Sequence, residues 1–351
     1  MRLFAPGYYK DFKCIGGSCE ESCCIGWEID IDPDTLKKYK SGACGRLSER
    51  LEPAIVIQEG VAQFALGADK RCPMLNREGL CDIITECGED MLCDICREHP
   101  RFYNVYSDFA EVGVGIACPE AARLVLSSPI SDTVLCAEEL TDGCDPDYPK
   151  EQLRLLLSLR DMLFDVCRAD VSVKALSELI HKHAAAGAVC SDSLLLGDLD
   201  TDCAEALRFA VSDAEYTVPA LCELISKSVS ALLEIEALDD DWHCIIRDVQ
   251  DTLLTDFSCF LSYLDGEGGD YMRRLFCYFI YRYLLVAACD LRPFGRIMLS
   301  LCLALGILAI AYCGGGDRGA VVRAATKLSR NVEYSTDNVD MLIDIFDEMQ
   351  E

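Results

Sequence analysis

Eleven of the chain's 23 cysteines lie within residues 1–125, most of them in tight groups. Thiols at that density read either as a disulfide framework or as ligands to metal, and the compartment separates the two. The opening Met1-Arg2-Leu3-Phe4-Ala5-Pro6 carries no apolar run followed by a small-residue cleavage site. No secretory signal is therefore expected, and in a cytoplasmic chain the thiols stay reduced. An odd total also leaves no complete pairing. The expectation is a metal or iron–sulfur site.

The groups are Cys14-x4-Cys19-x3-Cys23-Cys24, then Cys72-Pro73 leading to Cys81, then Cys93-x2-Cys96, and finally Cys118-Pro119. Thiolates two to four residues apart on turns converge efficiently on one ion or cluster. Gly16 and Gly17 give the first loop backbone freedom, and Pro73 and Pro119 stiffen the loops that present Cys72 and Cys118. The candidate ligands are Cys14, Cys19, Cys23, Cys24, Cys72, Cys81, Cys93, Cys96 and Cys118. Nine exceed the needs of one site, so either two sites exist or some thiols only support one. Spacing does not separate zinc from iron–sulfur. Cys44, Cys87, Cys136 and the later cysteines are isolated and read as small core hydrophobes.

Beyond these groups the pattern changes. Val61–Leu66, Phe102–Tyr106 and Ala110–Ile116 alternate like strands, with Ser107-Asp108 as a hairpin turn. Asp32-Pro33 and Pro119 open helices. Residues 127–150, with Pro129, Gly143, Pro146 and Pro149, read as a linker or irregular crossing. Helical stripes then follow at 153–166, 173–183, 219–238, 242–264, 271–288, 293–312 and 338–349. The expected fold is α+β and mainly α: a small Cys-rich metal-binding α+β module over 1–126, the crossing at 127–150, and an α-helical domain over 151–351. Ile297–Gly316 holds no charge and approaches the length of a membrane span. It lacks an aromatic belt, and Arg282 interrupts the apolar segment before it, so a buried helix and no membrane are expected.

Charge narrows the function. With 32 Lys and Arg against 60 Asp and Glu, the net charge is −28. Such a chain has little to neutralise phosphates with, and no nucleic-acid partner is expected.

At the cysteine groups the chain resembles the FliB-type flagellin lysine-N-methylases, and more broadly the CxxCxxCC metal-chelating proteins. The similar stretches are Cys14-Ile15-Gly16-Gly17-Ser18-Cys19 through Gly26-Trp27, Cys72-Pro73 through Cys81-Asp82-Ile83, Gly88-Glu89-Asp90 through Pro100-Arg101, and Cys118-Pro119-Glu120-Ala121-Ala122-Arg123. In the helical part Tyr281-Arg282-Tyr283, Asp290 and Arg296 also resemble the family. The resemblance implies methyl transfer from S-adenosylmethionine to lysine ε-amines of flagellin, with a Cys-bound iron–sulfur cluster of the 4Fe-4S kind, or zinc. The Cys-x3-Cys-x2-Cys signature of radical S-adenosylmethionine enzymes is absent. The alternative is a non-enzymatic zinc or iron–sulfur protein serving partner binding or electron transfer.

Arg97, Arg101 and Arg123 stand beside Cys96 and Cys118 and are candidates either to neutralise a thiolate cluster or to hold the donor's carboxylate. An amine nucleophile must lose its proton, and Glu28, Asp30, Asp82, Glu89, Glu120, Tyr103 and Tyr106 are unranked candidates to help. Glu111-Val112-Gly113-Val114-Gly115 reads as a hairpin strand rather than a Rossmann loop, and Gly314-Gly315-Gly316 as an interhelical turn. His181-x-His183 is a poor metal pair, and Asp239-Asp240-Asp241 reads as an acidic helix start.

Overall fold

Turn residues break the first third of the chain into short elements, and the computed structural model shows how they assemble. It describes residues 1–27, 29–130, 133–139, 148–169, 172–178, 180 and 218–350. The chain forms two units. One holds Met1–Lys10, Tyr103–Gly113 and Ala122–Glu351, and the other Asp11–Phe102 and Val114–Ala121. Residues 1–126, read as one module, are thus shared between the two.

Strand β1 (Arg2–Pro6) opens the larger unit. The smaller unit follows with β2 (Asp30–Ile31), α1 (Pro33–Lys40), α2 (Ser48–Leu51), β3 (Ile55–Gln58), β4 (Val61–Phe64), α3 (Asp82–Cys87) and α4 (Asp94–Glu98). Its sheet is antiparallel, in the order β2-β4-β3. The β3–β4 turn needs left-handed backbone at both Glu59 and Gly60, which fits the two-residue turns that match strand twist. Ile29, Ile31, Tyr39, Leu47, Leu51, Phe64 and Met74 form its core.

Strands β5 (Arg101–Val105) and β6 (Phe109–Val114), of which residues 103–113 belong to the larger unit, form the expected hairpin, closed where Tyr106 N–H donates to the Phe109 carbonyl at 3.0 Å. After α5 (Pro119–Ser127), residues 133–139 make β7 (Thr133–Glu139), antiparallel to β1. The sheet order is β5-β6-β1-β7, with β1 parallel to β6. Part of the expected crossing is therefore a strand. Its flanking prolines and glycine marked turns, and the strand itself is defined by a partner far away in sequence.

The helices are α6 (Lys150–Arg168), α7 (Val218–Ala231), α8 (Trp242–Leu264), α9 (Glu267–Tyr283), α10 (Ala287–Asp290), α11 (Pro293–Cys313), α12 (Arg318–Val332) and α13 (Thr336–Asp347). Residues 173–178 and 180 are also helical. Helix α7 stops seven residues before the stripe predicts, because buried Asn331 and Asn338 bind the backbone of the following turn. Asn331 Oδ1 accepts from Leu238 and Asp239 N–H at 3.0 and 3.1 Å, and Asn338 Oδ1 accepts from Glu236 N–H at 2.9 Å. Asp239 and Asp241 face Lys327, at 3.5 and 2.6 Å, so the acidic run ion-pairs instead of capping α8. The apolar stretch is α11, on which α7, α8, α9, α12 and α13 pack. Among the described residues it is the one helix long and apolar enough to cross a membrane, and 94% of its most apolar window is buried inside the fold. A helix apolar on all faces is a core helix.

Strand β6 is buried along its whole length and carries Glu111. Arg160 of α6 meets it at 2.8 Å, with both side chains almost inaccessible. Burial raises the Glu111 carboxyl and the guanidinium opposes that rise. Removing one member of such a pair strands a buried charge. Arg160→Met is expected to cost about 3–5 kcal/mol in urea unfolding. The double variant Glu111→Leu/Arg160→Met should recover most of that loss, and a double variant no better than the single one would refute the pairing.

Candidate functional site

The cysteine-bearing loops of the smaller unit have little regular structure, and backbone hydrogen bonds fix them instead. Cys72 N–H donates to the Cys24 carbonyl at 2.8 Å, Gly26 N–H to Lys70 at 2.9 Å, and Asp82 N–H to Met74 at 2.8 Å. Isolated bridges join Ile25 to Arg71 and Leu75 to Cys81. Gly16 adopts φ +54°, and a Cβ on Gly17 would stand 2.7 Å from the Glu78 carbonyl. The Gly-Gly step is thus demanded by a neighbouring loop.

The thiols fall into two groups. Cys23 interacts with Cys14 and Cys118, and Cys118 with Cys19 and Cys14. Cys24, Cys72, Cys81, Cys93 and Cys96 interact among themselves. The contact of adjacent Cys23 and Cys24 joins the groups. The Cys23 thiol donating to Cys24 brings Cys24 down to about 7, helped by the Ser22 hydroxyl and Arg71 against the burial that opposes it. Cys96 donating to Cys93 lowers Cys93 in the same way, and the two donors, Cys23 and Cys96, are raised. Burial pushes Cys72 up to about 12. Outside the nine, Cys44 and Cys87 also meet, Cys87 Sγ lying 3.8 Å from the Cys44 carbonyl.

The thiols are close together, but among the described residues they do not converge as ligands do. Among the described residues no group of three or more His, Cys, Asp or Glu side chains is arranged to hold a metal ion. Zinc and iron–sulfur sites need three or four converging ligands. The described side chains as they stand therefore do not form the expected iron–sulfur or zinc arrangement.

The other candidates hold mainly structural positions. Arg97 pairs with Asp94 and, at 3.7 Å, with Glu98. The Arg101 guanidinium lies 5.8 Å from the centre of the Phe12 ring. Arg123 belongs to the larger unit, where its carbonyl accepts from Arg318 at 3.1 Å. Asp82 accepts from Arg50 at 2.6 Å and Asn76 at 2.9 Å, and Asp30 from Gln63 at 2.8 Å. Glu89 is exposed, Glu120 stands in the first turn of α5, Tyr103 is 39% exposed, and Tyr106 is buried beside Glu111. Glu28, His181 and His183 lie outside the described residues.

The Tyr281-Arg282-Tyr283 segment ties the larger unit together. Tyr281 donates to the Phe4 and Val112 carbonyls at 3.2 and 3.1 Å, and Arg282 and Tyr283 meet Glu333 at 2.9 and 2.8 Å. Asp290 accepts from Arg296 at 3.0 Å. The Glu111–Arg160 pair escaped the sequence reading although its signal was there. Arg160 sits on the helical stripe between Leu156 and Leu163, and Glu111 interrupts an apolar strand.

No family model matches the chain, and no solved structure matches it. The chain is 28% identical over 166 residues to the Lysine-N-methylase of Salmonella choleraesuis, and 27% identical over 164 residues to that of Salmonella typhimurium. Each match covers 43% of this chain and 40% of the relative, so it spans less than half of either methylase. The Flagellar biosynthetic protein FliU of Salmonella muenchen is 28% identical over 132 residues, covering 35% of this chain and 76% of that protein. These similarities support a relationship to the lysine-N-methylases.

Asp32 organises the segment that carries Cys93. Its carboxylate accepts from Thr35 N–H at 2.8 Å, capping α1, and from Asp94 N–H at 3.0 Å, at the start of α4. Burial alone would raise the Asp32 carboxyl, but these N–H groups hold it below the usual carboxylate value. Asp32→Ala is expected to lower stability by about 1–2 kcal/mol at pH 7. The folded pKa is depressed, so the contribution is present above the unfolded pKa, about 3.9, and lost as pH falls through the folded value. Thermal melts of the two proteins from pH 7 to pH 3 should converge, and a constant gap would contradict the assignment.

Proposed function

We propose that the chain is a protein-lysine N-methyltransferase that transfers methyl groups from S-adenosylmethionine to lysine ε-amines of flagellin in the cytoplasm. The observation that carries this reading is the similarity to two proteins named Lysine-N-methylase. The relative named for flagellar biosynthesis supports flagellin as the substrate class. In the reaction the amine lone pair bonds to the methyl carbon, the sulfonium leaves as a thioether, and the amine proton passes to a base or to water. Lysine is protonated at neutral pH, so the site must favour the neutral amine. A net charge of −28 suits the approach of a lysine-bearing surface.

The same reading assigns Cys14, Cys19, Cys23, Cys24, Cys72, Cys81, Cys93, Cys96 and Cys118 as metal ligands. Support comes from the resemblance and from the clustering of these thiols, and the assignment has its own readout below.

The chain, purified without oxygen, is incubated with S-adenosylmethionine and flagellin, and the flagellin is examined by peptide mass spectrometry. Mass gains of one methyl unit on lysines are expected, and unmodified flagellin would overturn the reading. Metal analysis of the same preparation, and of Cys23→Ser and Cys93→Ser, tests the ligands. Stoichiometric iron or zinc that either substitution removes would support them. An active protein free of metal would sink the ligand assignment and leave the methylase reading standing.

A further inference from the structure

Outside the nine candidate ligands, two further pairs of thiols are in contact. In the smaller unit Cys44 meets Cys87, and in the larger unit Cys277 meets Cys167. Access separates the pairs. Cys167 and Cys277 are 1% and 8% exposed, and Cys277 stands in the middle of α9. The cavity beside Cys277 has room for about 30 Å³, a water or two, and admits no larger reagent.

Cys44 and Cys87 both come from the ends of elements. Cys44 lies in the turn after α1, buried in the same core as Leu47 and Ile83. Cys87 is the last residue of α3, which ends where Gly88 takes φ +89°. The Cys87 thiol reaches the Cys44 carbonyl at 3.8 Å, and the Cys44 thiol donates to Cys87 in return. Cys87 is only half-buried, so one sulfur of this pair is open to solvent. Exchange between thiols and a disulfide needs a reachable attacking sulfur, and a second thiol close enough to displace what remains of the reagent. The Cys44–Cys87 pair meets both conditions, and Cys167–Cys277 meets only the second.

We propose that Cys44 and Cys87 form a reversible disulfide by exchange with a low-molecular-weight disulfide. Cys87 attacks one sulfur of the reagent, whose other half leaves as a thiolate and takes the Cys87 proton. Cys44 then attacks the Cys87 sulfur and passes its proton to the second leaving thiolate. Two protein thiols are oxidised, and one reagent disulfide is reduced to two thiols. In a reducing compartment such a bridge is transient and follows the thiol–disulfide balance. It ties the turn after α1 to the end of α3, within the core that also holds Cys72, Cys81 and Cys93. This goes beyond the methylase reading and does not depend on it.

The test treats the full chain, purified without oxygen, with oxidised glutathione. Remaining thiols are then alkylated, and the protein is cut with trypsin and a Glu-specific protease. These cuts place Cys44 in residues 41–46 and Cys87 in residues 87–89, each apart from every other cysteine. Linked 41–46 and 87–89 peptides are expected from most molecules, and dithiothreitol should release them. Cys167 and Cys277, in residues 161–168 and 275–282, should remain unlinked. Cys44→Ala should trap one glutathione on Cys87, and Cys87→Ala should leave Cys44 unmodified. Where Cys44→Ala melts early, the wild type and Cys87→Ala carry the test. Wild type without the Cys44–Cys87 linkage, or Cys44 modified as readily in Cys87→Ala, would overturn the proposal.

Discussion

A helix apolar on every face has to be enclosed, and α11 imposes that condition on the larger unit. Residues 293–309 and 311 are all buried, so no polar face remains to meet water. Burying a Leu or Ile side chain is worth about 1.5–3 kcal/mol, and α11 buries many. Among the described residues, α7, α8, α9, α12 and α13 arrange themselves around it. Several polar residues of this unit come in bonded sets, Asn331 and Asn338 on the turn after α7, Glu333 with Arg282 and Tyr283, and Glu111 with Arg160, whereas the buried Thr326 and Tyr263 hydroxyls have no hydrogen-bond partner among the described residues. Each such set fixes one relative placement of the elements it joins, which apolar contacts alone do not.

The smaller unit is built the opposite way. Its core is modest and its elements are short, and loop-to-loop hydrogen bonds hold what the core does not. One carboxylate, Asp32, serves the starts of two helices. The nine thiols are gathered by this scaffold into two groups that touch at Cys23 and Cys24. Thiol pairs in which one member donates to the other share their protonation unevenly. That sets Cys24 and Cys93 apart from their neighbours.

Much of the helical architecture was legible because its signals are local. Asp32-Pro33 begins α1, Pro119 begins α5, Pro293 begins α11, and the stripe over 242–264 matches α8. Strand β7 was not, because turn residues surround it and its identity depends on pairing with β1. The packing of residues 103–113 with the larger unit is likewise a long-range fact. In the thiol region the sequence marked the residues and not their grouping. Adjacent Cys23 and Cys24 join different groups, and Cys23 shares its group with Cys118 from a distant loop.

The enclosure of α11 has a cost during synthesis. Two of its covering helices, α12 and α13, follow it in the chain. As the nascent chain lengthens, α11, the most apolar of the described helices, is complete before those covers exist. At about 5–20 residues per second, that interval is a few seconds in which an uncovered apolar rod is available to chaperones, to membranes or to other nascent chains. The native fold hides α11 well, and for that reason the order of synthesis leaves it in need of protection until α13 has closed over it.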